Sequence, residues 1–371
     1  MIVKSISVRD FRNYAYTRVE LSGGVNVFVG GNAQGKTNLL EAVTVASLGR
    51  SMRTANDREM IRDGKIGAKV TAETVKAAAS ETVDLAIDKT AKKRVAINGL
   101  PILRLGELMG VLPSVFFSPD ELKTVKSSPE ERRRFIDVAL CQISRGYFYL
   151  LKRYNKLLSQ RNRLLKNAKD ATTVLLDQLK IWDEQLAIEG GKIIRTRRAY
   201  IIRLTQAAGE VHSYLTDGVE KLSLEYEGAE GEDSQTAKVN LLAEIERTKE
   251  RDIRLGYTTT GPHKDDVAIT IDGRDARKYG SQGQIRTAVL ALKLAELTLI
   301  EEEAGERPVL LLDDVLSELD MARQAKLMEK VKGYQVIITC THVDEGLKNR
   351  LEGAKYFMIK NGEVEMQKQS K

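Results

Sequence analysis

The chain has 371 residues, 42% hydrophobic and 30% charged, which is enough to bury a sizeable core and to form two or three domains. No apolar run approaches the roughly 20 residues of a membrane span, and "MIVKSISVRDF" lacks the apolar run and cleavage site of a secretory signal, so a cytoplasmic protein is expected. Cys141 and Cys340 fit no paired-ligand spacing and His212, His263 and His342 do not cluster, which argues against zinc sites and disulfide frameworks.

The elements follow in chain order. "VNVFVGG", from Val25 to Gly31, is a β-branched run that stops at glycines, and "TNLLEAVTVASLG" continues as a helix. Between them "GGNAQGKT" fits the phosphate-loop pattern of two glycines, a lysine and a threonine, in the strand-to-helix context the mechanism requires. The backbone of Gly30, Gly31, Asn32, Ala33, Gln34 and Gly35 can wrap the phosphates of ATP, Lys36 can reach the β and γ oxygens, and the Thr37 hydroxyl can hold Mg²⁺; Asn38 follows on the helix. From Lys65 to Leu100 apolar residues alternate, with an Asn98-Gly99 turn, as in an antiparallel sheet lobe.

After Pro119 the pattern becomes that of long helices. Tyr147, Leu151, Tyr154, Leu158 and Leu165 step by threes and fours, with Arg161 on the seam, and Leu175, Leu179, Trp182 and Leu186 repeat the pattern after the break "KNAKDATT". This is the signature of a two-helix arm whose apolar stripe is core. Between Arg145 and Arg203 there are 14 Lys+Arg against 5 Asp+Glu in a chain of net charge +7, so the basic excess belongs to the arm. It favours a polyanion-facing surface, with Arg195, Arg197 and Arg198 as candidates, against the plainer reading of a solvated face.

After the acidic "EYEGAEGEDSQ" strands return: "VAITIDG", the buried "PVLLLDD" and "QVIITCTH", and a closing hairpin through Asn361-Gly362. The expected organisation is α/β: a discontinuous ATPase head from 1–125 and 250–371, with an antiparallel β lobe, and an all-helical arm inserted over 126–249. "PVLLLDD" presents Asp313 toward the magnesium shell opposite Thr37, and Asp314 to orient or deprotonate the attacking water. "YGSQGQIRT" reads two ways, as a capped core helix or as an anion receptor at a helix N-terminus.

The order phosphate loop, serine-glycine signature, paired acids, "SELD" and strand-end His342 resembles the ABC ATPase superfamily. That resemblance implies that Ser281, Gly283 and Gln284 bind the γ-phosphate held by a second copy, and that His342 is the switch histidine. A transporter's ATP-hydrolysing subunit shares these motifs; the long basic insert argues against it, and no membrane partner is expected. "VRDFRNYAYTRVEL", "GGNAQGKTNLLEAV" with "LGRSMRT", "FFSPDELKTVKSSPEERRRFID", "TTTGPHKDD" and "LLLDDVLSELD" together resemble the RecF family over essentially the whole chain. Membership would imply a slow ATPase that dimerises on ATP, binds double-stranded and gapped DNA without sequence preference, and works with RecO and RecR to load RecA. Arg12 is a candidate nucleotide contact or a surface ion pair. Ser118 and Asp120 lie where a loop can sense the nucleotide, while Arg132, Arg133 and Arg134 bind phosphate or pair with Glu130 and Glu131.

Overall fold

A computed structural model describes residues 1–76, 79–166, 173–343, 346, 348, 351 and 353–367. The break expected between the arm helices falls, at 167–172, outside the described residues. The chain divides into two compact units, Met1–Glu121 with Lys293–Lys371, and Leu122–Leu292.

The first unit opens with β1 (Ile2–Phe11), β2 (Tyr14–Glu20), β3 (Val25–Val29) and α1 (Lys36–Leu48). It continues with β4 (Gly67–Val75), β5 (Ser80–Asp88), β6 (Arg94–Ile97), β7 (Leu100–Pro101) and β8 (Ser114–Phe117). One antiparallel sheet has the order β2-β1-β4-β5-β6-β7. Its strands alternate, Ala68, Val70 and Ala72 inward and Lys69 outward, and Asn98-Gly99 closes the β6–β7 hairpin with both residues at positive φ. The lobe read from Lys65 to Leu100 is therefore wider than expected, because β1 and β2 join it.

The second unit holds α2 (Lys123–Lys126), α3 (Pro129–Ile143), α4 (Arg145–Lys166), α5 (Thr173–Leu215), β9 (Leu222–Glu227), α6 (Ser234–Leu255), β10 (Asp266–Ile271), β11 (Arg274–Asp275) and α7 (Ala276–Tyr279). Helix α8 (Gln282–Ala304) contains the boundary at Lys293. At 43 residues α5 is about 65 Å long. It packs on α4 and α6, and the approach to α6 is close: a Cβ at Gly191 would come within 2.7 Å of the Ser234 carbonyl oxygen.

The stretch 126–249 is not all helical. β9 lies inside it, with Leu222, Leu224 and Tyr226 buried, and pairs antiparallel with β10, which carries the unit on to Leu292. The period-two alternation was hidden because its outward residues merge with the acidic run that follows.

Several basic residues read as polyanion candidates are structural. Arg197 is buried and donates to Asp137 and to the Pro262 carbonyl, while Arg198 donates to the carbonyls of Gly228 and Ala229 and lies over Tyr226. Arg132 pairs with Asp266 rather than Glu130 or Glu131, Arg133 donates to the Asp265 carbonyl, and Arg134 approaches Glu131 at 4.0 Å. Arg161 is wholly buried and donates to Asp183 at 2.5 Å, Asp252 at 2.6 Å and Thr258 at 2.8 Å. A charge on an apolar seam is thus a buried ion triad.

The chain then completes the first unit with β12 (Val309–Asp313), α9 (Met321–Lys330), β13 (Val336–Cys340), β14 (Lys355–Lys360) and β15 (Glu363–Met366). The second sheet has the order β15-β14-β3-β13-β12-β8, parallel from β14 to β8. β12 and β13 are buried at every position, as a parallel sheet covered on both faces demands. The carboxyl ends of β3 and β12, separated by β13, bring the phosphate loop and the paired acids to one rim.

Candidate active site

The loop between β3 and α1 is shaped by glycine at two places. A Cβ at Gly30 would come within 2.4 Å of the Ile359 carbonyl oxygen of the neighbouring β14. Gly35 has φ +119°, and a Cβ there would sit 2.8 Å from the Tyr14 hydroxyl. Ala33 also takes a positive φ, at 62°. No side chain caps α1, so its first N–H groups remain available to an anion. The β1–β2 turn braces the loop from outside: Asn13 donates to the Gln34 carbonyl, Tyr14 to the Gly35 carbonyl, and Asn38 to Asn13.

This loop opens onto a cavity of about 400 Å³ lined by Asn32, Ala33, Gly35, Lys36, Thr37, Asn38, Arg53, Asp313 and Asp314. The Lys36 ammonium is parked within the loop on the carbonyls of Gly30 and Gly31, at 2.7 and 2.9 Å. Thr37 donates to Asp313 Oδ1 at 3.0 Å, and Thr339 at the end of β13 donates to the same oxygen at 2.7 Å. Two hydroxyls thus fix the Asp313 carboxylate on the Thr37 side of the rim.

Asp314 is held differently. Its φ is +54°, a left-handed conformation that an aspartate adopts at a cost, and its N–H is fixed by Thr339. Its Oδ1 is buried without a hydrogen-bond partner among the described residues. Burial holds its carboxyl above the ordinary aspartate range, with Lys36 opposing and Asp313 reinforcing the shift. A carboxylate that is partly desolvated, raised in basicity and set in the wall of this cavity is suited to activating a water molecule.

Sequence reasoning missed Arg53. Its guanidinium donates to Asn38 Oδ1 at 2.9 Å and faces buried Glu41 at 3.3 Å, so one carboxylate sets an arginine on the cavity wall. The signal was its place just after α1, in "LGRSMRT". Arg12 is not among the lining residues; Glu41 holds it through two hydrogen bonds, and it donates to the Glu59 carbonyl. His342 is exposed two residues beyond β13. In "SELD", Asp320 caps α9 through the Arg323 N–H.

Ser281, Gly283 and Gln284 belong to the second unit and do not line this cavity. They form a capping box: Ser281 Oγ accepts from the Gln284 N–H at 3.2 Å, and Gln284 Oε1 accepts from the Ser281 N–H at 2.9 Å. Ser281 and Gly283 are exposed, and a Cβ on Gly283 would meet nothing within 4 Å, so this helix start is open to approach.

Comparison with known proteins bears on the fold and the family. Residues 2–365 match the family described as RecF/RecN/SMC N terminal domain. The DNA replication and repair protein RecF of Lachnoclostridium phytofermentans is 43% identical over 365 residues, covering 98% of this chain and 99% of that protein. A solved structure described as the recombination mediator protein RecF-ATP in the RecFOR pathway has a TM-score of 0.92 at 36% identity, over 99% of this chain and 97% of that one. An Smc head domain from Pyrococcus furiosus, 16% identical with a TM-score of 0.57 over 98% and 95% of the two chains, shares the fold. The chain therefore belongs to the RecF family, within the wider group of RecF, RecN and SMC N-terminal domains.

Proposed function

We propose that the protein is an ATP-dependent DNA-binding mediator of recombinational gap repair, in which ATP joins two copies head to head on double-stranded or gapped DNA and slow hydrolysis releases them. The observation that carries this reading is the rim itself: a phosphate loop, a Thr37–Asp313 pair and an Asp314 oxygen without a hydrogen-bond partner among the described residues, all around one cavity. In the relative described as RecF-ATP, nearly the whole chain superposes on this one.

The residues present fit ATP and magnesium. Among the described residues no cluster of three metal-ligating side chains occurs, and magnesium does not need one: it takes one or two protein oxygens and fills its shell with phosphates and water. Thr37 and Asp313 supply those oxygens, and Gly35 lets the loop pack against Asn13 and Tyr14 where a side chain would collide. When bound, the ion neutralises phosphate charge. The chain's own contributions are separate. Loop N–H groups bind phosphate oxygens, Lys36 leaves its carbonyl partners for the terminal phosphates, and Arg53 adds a second positive charge. Asp314 orients the attacking water and takes its proton. Its short side chain reaches less far than a glutamate, which supports slow turnover and a switch rather than a pump.

The signature residues, exposed Ser281 and Gly283 with half-buried Gln284, serve the nucleotide of a second copy, with the α8 dipole behind them. Arg12 acts by setting Glu41 rather than by touching nucleotide, and His342 stands as the switch candidate on its position alone. DNA is bound through its phosphates. With Arg197 and Arg198 committed to structure, the arm's exposed cations are such residues as Lys156, Arg163 and Arg195. RecR, RecO and RecA are the protein partners this reading implies, and the cytoplasm is its compartment; no described helix is long and apolar enough to cross a membrane.

The test measures molecular mass in solution and DNA retention with and without ATP, over a salt series. Lys36→Met and Ser281→Arg should each abolish ATP-induced dimerisation. Exchange of Lys156, Arg163 and Arg195 for Glu should weaken DNA binding and flatten its salt dependence. Dimerisation that survives both site variants would overturn the reading.

A further inference from the structure

The signature serine is held by a polar chain that begins inside the second unit. Beyond the capping box, Gln284 Nε2 donates to Glu220 Oε1 at 3.1 Å. Glu220 lies between α5 and β9, just after a turn in which Asp217 and Gly218 both have positive φ. It is well anchored. The buried His212 of α5 donates from Nδ1 to the Glu220 carbonyl at 3.4 Å. The next residue, Lys221, exchanges hydrogen bonds with Asp272, donating to its carboxylate at 2.8 Å and accepting its N–H at 2.9 Å.

A primary amide can be turned either way, whereas a carboxylate only accepts hydrogen bonds. Glu220 therefore decides which end of Gln284 faces it. With Nε2 toward Glu220, Oε1 faces the Ser281 N–H and the capping box closes. With the amide reversed, two acceptors oppose each other at Glu220 and two donors at Ser281. A closed box also sets the serine hydroxyl: its oxygen accepts from the Gln284 N–H, which leaves its own proton to donate to an anion.

We infer that Glu220 is a positioning residue for the signature: by fixing the Gln284 amide it holds the Ser281 hydroxyl with its proton turned outward, toward the terminal phosphate of a nucleotide on a second copy. The inference rests on the reading of Ser281 given above. It places a determinant of dimerisation in the α5–β9 connection, a segment without a recognisable motif.

The test is the ATP concentration that gives half-maximal dimerisation of the full chain, measured by analytical ultracentrifugation. Binding of a fluorescent ATP analogue to dilute monomer runs beside it, with thermal melting as the check on folding. Glu220→Lys replaces an acceptor with a donor and should reverse the amide, raising the half-maximal concentration about tenfold; Glu220→Ala should raise it about threefold, and Glu220→Gln, which still offers an oxygen, should stay near wild type. Monomer affinity should not move in any of them. In a Gln284→Ala background, Glu220→Ala should have no further effect, an outcome that a purely structural role would not give. Wild-type dimerisation by Glu220→Lys, or additive effects of Glu220→Ala and Gln284→Ala, would overturn the inference alone. A wild type that stays monomeric at saturating ATP would overturn the signature reading and the inference with it.

Discussion

Replacing Arg161 by leucine should be the most damaging single substitution in the arm. Arg161 is 0% exposed, and its partners Asp183 and Asp252 are 2% and 0% exposed. Leucine fills much of the volume but leaves two buried carboxylates without their guanidinium partner. Removing one partner of a buried ion pair costs about 3–5 kcal/mol, and two stranded acids place this site at the upper end. The loss should also depend on pH. Burial already holds the Asp183 carboxyl above the ordinary range, with Arg161 as the main opposing influence, so the variant raises it further. A folded-state pKa above the unfolded value gives stability that is present below the unfolded pKa and is lost as pH rises through the folded one. The deficit of Arg161→Leu should therefore be greatest near neutral pH and should shrink toward about pH 4 as Asp183 takes up its proton. The chain's one tryptophan, Trp182, is half-buried and adjoins Asp183, so its fluorescence during urea unfolding reports on this part of the arm. A loss below about 1 kcal/mol at neutral pH, or one that fails to shrink on acidification, would refute the reasoning. Converting Asp183 and Asp252 to leucine as well should recover most of the stability, since the whole triad is replaced by apolar packing.

The cavity supports three further expectations. Gly35→Ala puts a Cβ 2.8 Å from the Tyr14 hydroxyl at φ +119°, so calorimetric titration should show ATP affinity reduced by about tenfold or more, and the strain should lower the melting temperature as well. Arg53→Ala removes the arginine from the cavity wall and should weaken ATP binding about tenfold, while Arg12→Ala, whose guanidinium does not line the cavity, should weaken it less in the same titration. Asp314→Asn should retain ATP binding, lose phosphate release and prolong the dimer. Because the Asp314 carboxyl is raised and must be ionised to accept a proton, wild-type turnover should fall on the acid side at a pH above the ordinary aspartate range, as steady-state assays across pH would show.

What the sequence disclosed and what it concealed follow from the range of the interactions involved. The phosphate loop, β12 with its two acids, and the turns at Asn98-Gly99, Asp272-Gly273 and Asn361-Gly362 are local chemistry, and in each turn both residues take the expected positive φ. Arg53 and Thr339 could not be found in this way. One owes its place to Glu41 of α1, and the other to the pairing of β13 with β12, which brings residues 26 positions apart onto one carboxylate. The arm's charge count had a similar limit. It identified the basic region but gave Arg197 the same weight as Arg195, although Asp137, a residue 60 positions away, draws Arg197 into the core.

The serine at the head of α8 shows why two readings of one motif need not compete. A helix cap uses a lone pair of the hydroxyl oxygen, because what it must satisfy is a backbone N–H. A phosphate uses the hydroxyl proton, because it can only accept. Ser281 has both to give, and Gln284 N–H takes one of them at 3.2 Å. Capping thus restricts the rotation of the hydroxyl without consuming its donor, and it lowers the entropy that an arriving phosphate would otherwise have to remove. The same logic explains a glutamine three residues later, where glutamate would serve the capping box equally well. Glutamate would add negative charge at the proposed phosphate site and would repel Glu220, whereas the amide offers an acceptor to Ser281 and a donor to Glu220 at once.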